Sequence, residues 1–116
     1  MNLMIEEYHF GSIVINGKTY DFDVEVYWTG EVLKWWREKG HVFGVEDVKR
    51  AVKKNPDVIV LGTGFYGICE VTEECKNYIE GRKIELIIEK TENAVKIFND
   101  LLKESKKVVG LFHLTC

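Results

Sequence analysis

Hydrophobic and polar residues form the clearest local pattern near the start of the chain. Asn16-Gly17 separates the β-branched run of residues 13–15 from a second run of strand-forming residues that includes Thr19 and Tyr20. Asn-Gly between these runs predicts a two-residue hairpin, because a type I′ turn needs positive φ at both central positions. The resulting register sets Ile13 opposite Tyr20 and places Ile13 and Ile15 on the core face.

The alternation continues through residues 20–28 and predicts a longer strand. Apolar or aromatic side chains stand at the even positions, and Asp21, Asp23, Glu25 and Tyr27 occupy the odd ones. This period of two is typical of a strand with one buried and one solvated face. Within residues 30–40, the Val and Trp content of 32–37 favours a further strand over a single helical turn.

The second half of the chain alternates between strand and helix patterns. The predicted helices cover Val45–Lys54, which must end before Pro56, Thr72–Gly81, and a segment capped by Thr91 that carries Ala94, Val95, Phe98, Leu101 and Leu102 on one face. The predicted strands cover Val58–Leu61, Ile84–Ile88 and Val108–Leu114. A β-rich start joined to this alternation defines an α/β protein.

Length and composition limit the possible functions. The chain has 116 residues, of which 46% are hydrophobic and 30% charged, so one globular domain over residues 1–116 is expected. A net charge of -3 argues against nucleic-acid binding. No apolar run approaches the roughly 20 residues of a membrane span, so membrane insertion is not expected. Residues 1–7 lack the pattern of a secretory signal.

Two further compositional features indicate the environment of the protein. Cys69, Cys75 and Cys116 are odd in number and form no C-x-x-C pair, which favours a reducing, cytoplasmic location. The chain contains no Gln but many Lys and Glu residues, a bias found in proteins of hyperthermophiles.

The motif Gly62-x-Gly64-x-x-Gly67 follows a predicted buried strand and is similar to a dinucleotide-binding loop. Three features oppose that interpretation. The next helix begins only at Thr72, just 49 residues (68–116) follow the motif, and a hairpin start does not belong to a doubly wound fold. We therefore predict no dinucleotide and no other cofactor.

A smaller ligand site at the same loop remains a hypothesis. If the strands ending near Leu61 and Glu89 are parallel neighbours, their carboxyl ends bring the glycine loop beside the helix that starts at Thr91. Backbone N–H groups and a few polar side chains there would suit a small anion. The candidate residues are Gly62, Thr63, Gly64, Tyr66, Lys90 and Thr91.

Other chemistry is not indicated by the residue pattern. His9, His41 and His113 show no metal-ligand spacing, so no metal site is predicted. Cys69 could act as a nucleophile with a distant histidine, but a buried inert cysteine is the commoner case. No serine lies in a G-x-S-x-G motif, and we identify no catalytic residue.

The tryptophans indicate a different kind of site. Trp28, Trp35 and Trp36 are candidates for a protein interface, in which tryptophan is enriched. Because adjacent residues of a strand face opposite sides, one of Trp35 and Trp36 is expected to point away from the local core.

Several ordered stretches together resemble a family of small archaeal, bacterial and eukaryotic proteins, which includes the human adipogenesis-associated domain protein and mitochondrial complex I assembly factor three. The matching stretches are Ile15-Asn16-Gly17-Lys18-Thr19-Tyr20, Trp35-Trp36-Arg37-x-x-Gly40-His41, Val58-Ile59-Val60-Leu61-Gly62-Thr63-Gly64, Thr91-x-x-Ala94-x-x-x-Phe98-Asn99-x-Leu101 and Gly110-Leu111-Phe112-His113-Leu114-Thr115-Cys116. The resemblance implies a compact three-layer α/β domain with a mixed central sheet and an initial β-hairpin layer. It supplies no catalytic residues.

Two hypotheses about function follow. The first is a non-enzymatic protein-binding or assembly module that acts on a partner, or on itself, through the tryptophan region. The second is a small-molecule or anion binder, or an enzyme, at the glycine loop and Thr91.

Overall fold

A computed structural model describes residues 3–37 and 39–116. The predictions for residues 1–7 and 30–40 fall partly on Met1, Asn2 and Glu38, which lie outside the described residues. Within the described part, the helices are α1 (Val45–Lys53), α2 (Glu73–Glu80) and α3 (Thr91–Lys103). The strands are β1 (Ile5–His9), β2 (Ser12–Ile15), β3 (Lys18–Tyr20), β4 (Val24–Tyr27), β5 (Val32–Lys34), β6 (Val42–Phe43), β7 (Val58–Thr63), β8 (Glu70–Val71), β9 (Glu85–Glu89) and β10 (Val108–His113).

The main sheet has five strands in the order β5-β4-β10-β7-β9. β10 and β9 run parallel to β7, whereas β4 pairs antiparallel with both β10 and β5. The sheet is therefore mixed. The predicted α/β fold is confirmed. The strands that end near Leu61 and Glu89 are parallel neighbours, which is the condition on which the hypothesis of a site at the glycine loop rests.

Apolar residues on the two faces of the sheet form two separate cores. Ile59 and Leu61 of β7 pack in one core with residues of α1 and α2. Val58 and Val60 pack in the other core with α3 and with the separate sheet β1-β2-β3. A continuous apolar strand is expected where both faces are covered, and the expected three-layer arrangement is confirmed.

The hairpin between β2 and β3 forms as predicted. Asn16 and Gly17 have φ values of 49° and 80°, and Ile13 lies opposite Tyr20. Ile13 and Ile15 are both buried.

The prediction of one half-solvated strand over residues 20–28 is wrong. β3 ends at Tyr20, and the chain then enters the main sheet as β4, where Glu25 and Tyr27 are as buried as their apolar neighbours. The Glu25 carboxylate accepts hydrogen bonds from the Tyr27 hydroxyl at 2.7 Å and from Nε of Arg50 at 3.0 Å. Pairing with α1 makes burial of this charge tolerable.

Two other local predictions need correction. The strand predicted over residues 32–37 ends at Lys34, so both Trp35 and Trp36 lie beyond β5. The N-cap of α3 is Lys90, and Thr91 is the first helical residue. Thr72 caps α2 as predicted, and its side chain accepts a hydrogen bond from the Cys75 N–H at 3.1 Å.

No helix in the described ranges is long and apolar enough to cross a membrane.

Candidate functional site

Several loops meet at the carboxyl ends of the parallel strands β7 and β10. We call this region the carboxyl edge; it comprises residues 10–11, 21–23, 35–37, 39–41, 63–68 and 113–116. Because β4 runs antiparallel to β10 with Val24 opposite Phe112, the residue before β4 lies beside the end of β10. Asp23 and His113 are therefore brought together by the sheet.

A polar cluster of buried and half-buried side chains lies at the centre of the carboxyl edge. Nδ1 of His113 lies 2.7 Å from Oδ2 of Asp23, and the Leu114 N–H donates to Oδ1 of Asp23 at 2.9 Å. Arg37 donates to Oδ2 of Asp23 from both Nε, at 3.1 Å, and Nη2. We call these residues the Asp23–Arg37–His113 cluster.

Opposing effects determine the charge of Asp23. Burial alone would raise the pKa of its carboxyl group, but the hydrogen bonds from His113 and Leu114 and the charges of His113 and Arg37 outweigh burial. The pKa of Asp23 is therefore held below its usual value. An ionised carboxylate only accepts hydrogen bonds, so Asp23 accepts from His113 when Nδ1 carries a proton. Nη2 of Arg37 lies 3.0 Å from the same nitrogen and can donate to it when it does not.

The other side of the His113 ring faces the last residues of the chain. Nε2 lies 3.2 Å from the Cys116 main-chain oxygen and 3.4 Å from the exposed Thr115 hydroxyl. The Cys69 thiol lies 3.8 Å from the same Cys116 oxygen, and burial raises the pKa of this thiol to about 11. At neutral pH Cys69 is therefore protonated, so this residue supplies no thiolate beside the Asp23–Arg37–His113 cluster.

Arg37 also fixes the loop that carries Trp36. Its Nη1 donates to the carbonyl oxygens of Lys39 at 3.0 Å and Gly40 at 2.6 Å. Its guanidinium lies over the rings of Trp35 and Phe43, at 5.4 and 5.2 Å from their centroids. The largely covered Arg37 side chain thus ties residues 35–37 and 39–40 to the ends of β4 and β10.

The structure brings the glycine loop and the start of α3 into contact, as the sequence predicted. Thr91 is fully buried, and its hydroxyl accepts from the Gly64 N–H at 2.9 Å and donates to the His113 carbonyl at 2.6 Å. A Cβ atom on Gly62 would lie 2.7 Å from the Thr91 hydroxyl. These groups hold the loop against the helix, and binding of an anion there stays a prediction.

The remaining candidates of the glycine loop differ in exposure. Thr63 is buried and donates to the Glu89 carbonyl at 3.2 Å, whereas Tyr66 is 60% exposed. A Cβ atom on Gly67 would lie 2.9 Å from Cγ of Lys90, so the lysine stem covers this glycine. Two clefts of about 350 and 620 Å³ lie elsewhere and include neither Thr91 nor a residue of the glycine loop.

Exposed aromatic residues surround the Asp23–Arg37–His113 cluster. On one side, Phe65 lies 5.7 Å from Phe10 and 5.1 Å from Tyr66, measured between ring centroids. We call these three residues the Phe65 patch. Each is more than one-third exposed.

A second patch lies on the other side of the carboxyl edge. Nζ of Lys34 lies 4.4 Å from the ring centroid of Trp36 and 5.4 Å from that of Phe22. We call these three residues the Trp36 patch. Trp36 is 71% exposed, whereas Trp35 is 3% exposed and donates from its indole nitrogen to the Asp47 carbonyl at 2.9 Å. The two tryptophans point in different directions, as expected, while Trp28 is half-buried against both cores.

Sequence reasoning missed the Asp23–Arg37–His113 cluster. Asp23 lay on the face predicted to be solvated, and His113 was considered only as a metal ligand. One signal was present, because His113 follows the apolar residues of a buried strand and a buried imidazole needs a partner. Within the described residues, no three metal-binding side chains lie close enough together to hold an ion.

A mixed sheet that is covered on both faces and has polar residues at its carboxyl edge places this protein among the small α/β proteins. A family model described as "Protein of unknown function (DUF498/DUF598)" matches residues 5–113. The chain belongs to this family.

Similar solved structures extend across archaea and bacteria. A conserved hypothetical protein from Pyrococcus horikoshii is 29% identical, has a TM-score of 0.88, and the match covers 97% of this chain and 98% of that one. A protein from Bordetella parapertussis is 18% identical with a TM-score of 0.82, covering 96% and 94% of the two chains. A Mth938-like domain from Bordetella pertussis is 14% identical with a TM-score of 0.70, covering 97% and 85%. The two Bordetella proteins share the fold.

Proposed function

We propose that this protein is a binding module that docks a partner protein on its carboxyl edge. The observation that carries the proposal is the pair of exposed aromatic patches on either side of one polar cluster. Aromatic side chains are enriched among the residues that dominate binding energy at protein interfaces. Large apolar side chains grouped on the surface are typical of interaction sites.

Both patches are fixed to the same short segment, residues 113–115. On one side, the Gly11 N–H donates to the Leu114 carbonyl at 2.9 Å and the Phe65 N–H donates to the Thr115 carbonyl at 2.8 Å. On the other side, the Asp23 carboxylate accepts from the Leu114 N–H, and the Trp35 N–H donates to the Asp23 carbonyl at 2.8 Å. The end of β10 therefore runs between the Phe65 patch and the Trp36 patch.

The Asp23–Arg37–His113 cluster gives this surface a fixed shape before a partner arrives. Arg37 bonds to the carbonyls of the loop that follows Trp36, and it bonds to Asp23 on the adjoining loop. A surface that is already ordered loses less conformational entropy on binding. In this proposal the cluster is a positioning device and carries out no chemistry.

The chemistry of the Trp36 patch indicates the kind of partner. Lys34 places an ammonium group over two exposed aromatic rings, so the patch is both apolar and cationic. A partner segment with apolar side chains and at least one carboxylate would complement it. The resemblance to a family with an assembly-factor member supports an assembly role, and the relation to that eukaryotic member is part of the proposal.

The alternative of an anion-binding crevice has less support. The Gly64 N–H that an anion would need already donates to Thr91, and Thr91 in turn donates to His113. Among the described residues, every buried side-chain nitrogen and oxygen has a hydrogen-bond partner. The crevice therefore offers no unsatisfied buried side chain to a ligand.

Site-specific photo-crosslinking tests the proposal in the cells that produce the protein. A photoreactive phenylalanine analogue replaces Trp36 in one variant, Tyr66 in a second and Met4 in a third. Met4 is 45% exposed but precedes β1, whereas Phe10 follows that strand, so it serves as the matched control. We expect the same protein to be crosslinked from positions 36 and 66 and not from position 4.

Purified components then provide the quantitative test. Trp36→Ala and Phe65→Ala should each weaken binding of the crosslinked protein by about tenfold or more, and Met4→Ala should leave it unchanged. Unchanged affinity in both edge variants would overturn the proposal. Crosslinking from position 4 alone would overturn it as well.

A further inference from the structure

β9 is the outermost strand of the main sheet, next to β7. The Glu85 N–H donates to the Asp57 carbonyl at 3.1 Å, so Glu85 directs its peptide groups toward β7. Because peptide groups alternate in direction along a strand, those of Leu86 and Ile88 point outward. Such outward N–H and C=O groups can pair with a further strand.

The side chains of β9 form a short apolar stretch between charged ends. Leu86, Ile87 and Ile88 are half-buried, while Glu85 and Glu89 are exposed. Leu86 packs on the face of the sheet that carries α1 and α2, and Ile87 packs on the face that carries α3. A further strand would cover apolar surface on both faces.

We propose that two copies of this protein associate through β9, which pairs antiparallel with β9 of the second copy about a two-fold axis at Leu86. The two five-stranded sheets would then form one continuous sheet. An interface of this type is self-complementary, because each copy contributes the same residues.

Backbone geometry and charge select this register among the alternatives. To form hydrogen bonds, a residue whose peptide groups point outward must lie opposite another such residue of the second copy. Since these residues alternate along β9, the two-fold axis must pass through a residue position and not between two residues. An axis at Ile87 would set Glu85 opposite Glu89 on both sides, and an axis at Glu85 would set the two Glu85 side chains face to face. Like charges directly opposite one another destabilise a strand pair.

An axis at Leu86 avoids both repulsions. It pairs Leu86 with Leu86 and sets Ile84 opposite Ile88, so apolar residues meet on the face that carries α1 and α2. Lys83 is exposed and lies in the turn that precedes β9, with a φ of 62° and Ile84 between it and the strand. This register brings that turn to the end of β9 of the second copy, where the long Lys83 side chain can reach Glu89. This attraction occurs twice, once on each side of the axis. The axis at Leu86 sets one charged residue opposite an apolar one, Glu85 opposite Ile87. An axis at Ile88 would do so in two pairs, Ile87 with Glu89 and Leu86 with Lys90.

A charge exchange tests both the association and its register. The measurement is sedimentation velocity on the full chain across a concentration series. We expect the unmodified protein to form a dimer. Lys83→Glu and Glu89→Lys should each weaken dimer formation by about tenfold or more, because each creates two like-charged contacts. The double variant Lys83→Glu/Glu89→Lys should restore the dimer.

The control variant is Glu104→Lys, which changes an exposed carboxylate at the far end of α3 and should leave the dimer intact. Circular dichroism checks that every variant is folded. A protein that stays monomeric throughout the series would overturn the proposal. A dimer unaffected by either single variant, or one that the double variant fails to restore, would overturn it too. Since Trp36 and Phe65 lie outside β9, the carboxyl-edge proposal is tested separately.

Discussion

Nδ1 of His113 lies 2.7 Å from the carboxylate of Asp23, although 90 positions separate the two residues in the sequence. This contact exists because β4 and β10 are antiparallel neighbours, so the residue before one strand meets the last residue of the other. Arg37 completes the cluster from a third loop. The cluster thereby joins three distant segments at the surface on which the proposed partner docks.

Replacement of Asp23 by Asn should destabilise the protein in a pH-dependent way. Removing one partner of a buried ion pair costs about 3 kcal/mol, and this loss is expected at neutral pH. The folded-state pKa of Asp23 lies below its unfolded value. The carboxylate therefore contributes fully above the ordinary value of about 4, and its contribution is lost as the pH falls through the lower folded value.

Urea unfolding of both proteins at several pH values measures this effect. The difference in the free energy of unfolding between Asp23→Asn and the unmodified protein should shrink below a pH of about 4. A difference that stays constant with pH would contradict the pairing of Asp23 with Arg37 and His113.

The adjacent tryptophans should differ sharply in their effect on stability. Trp35→Ala removes a buried ring and an indole hydrogen bond, which should lower the free energy of unfolding by about 3–5 kcal/mol. Trp36→Ala removes a mainly exposed ring and should change stability by less than about 0.5 kcal/mol. Thermal and urea unfolding compare the two variants directly, and equal losses would contradict the structure of this segment.

The three thiols should react with alkylating reagents at different rates. Burial raises the pKa of Cys69 and of Cys75 to about 11, whereas Cys116 is half-exposed. At pH 8 only roughly one in a thousand of the buried thiols is ionised, so Cys116 should react first. Time-resolved iodoacetamide labelling with peptide mass spectrometry measures the order. In denaturant, all three cysteines should be alkylated rapidly. Equal alkylation rates for the three cysteines in the folded protein would contradict the prediction.

Inorganic phosphate should leave the melting temperature of the protein unchanged. An anion that binds only the folded state would raise the melting temperature with concentration. The Gly64 N–H is already bonded within the protein, so no such increase is expected. An increase that is lost in Lys90→Ala would establish the anion site. Gly64→Val would not be informative, because its Cβ would lie 2.7 Å from the Thr115 carbonyl.

Local sequence patterns predicted the elements whose environment follows from neighbouring residues. Asn16-Gly17 predicts its turn because both residues tolerate positive φ, which is a property of the turn itself. The apolar run in β7 likewise predicts a strand covered on both faces. In both cases the physical requirement and the residues that meet it lie together in the chain.

The same local reasoning failed for β4 and for the carboxyl edge. Glu25 and Asp23 lie in an alternating pattern that is typical of a solvated face, but Arg50 and Arg37 arrive from other elements and make their burial tolerable. A pattern along one strand contains no information about a charge that comes from another. The arginine–carboxylate pairs could therefore be found only once the folded chain was known.

The position of β10 has a consequence for how this protein is made. β10 lies between β4 and β7, although it follows both of them in the sequence. During synthesis on the ribosome, β4 with β5 and β7 with β9 emerge first as two pairs that have no contact through a common strand. The sheet becomes continuous only when residues 108–113 leave the exit tunnel. Until then the inner edges of β4 and β7 are open, and this interval is when a nascent chain would most need a chaperone.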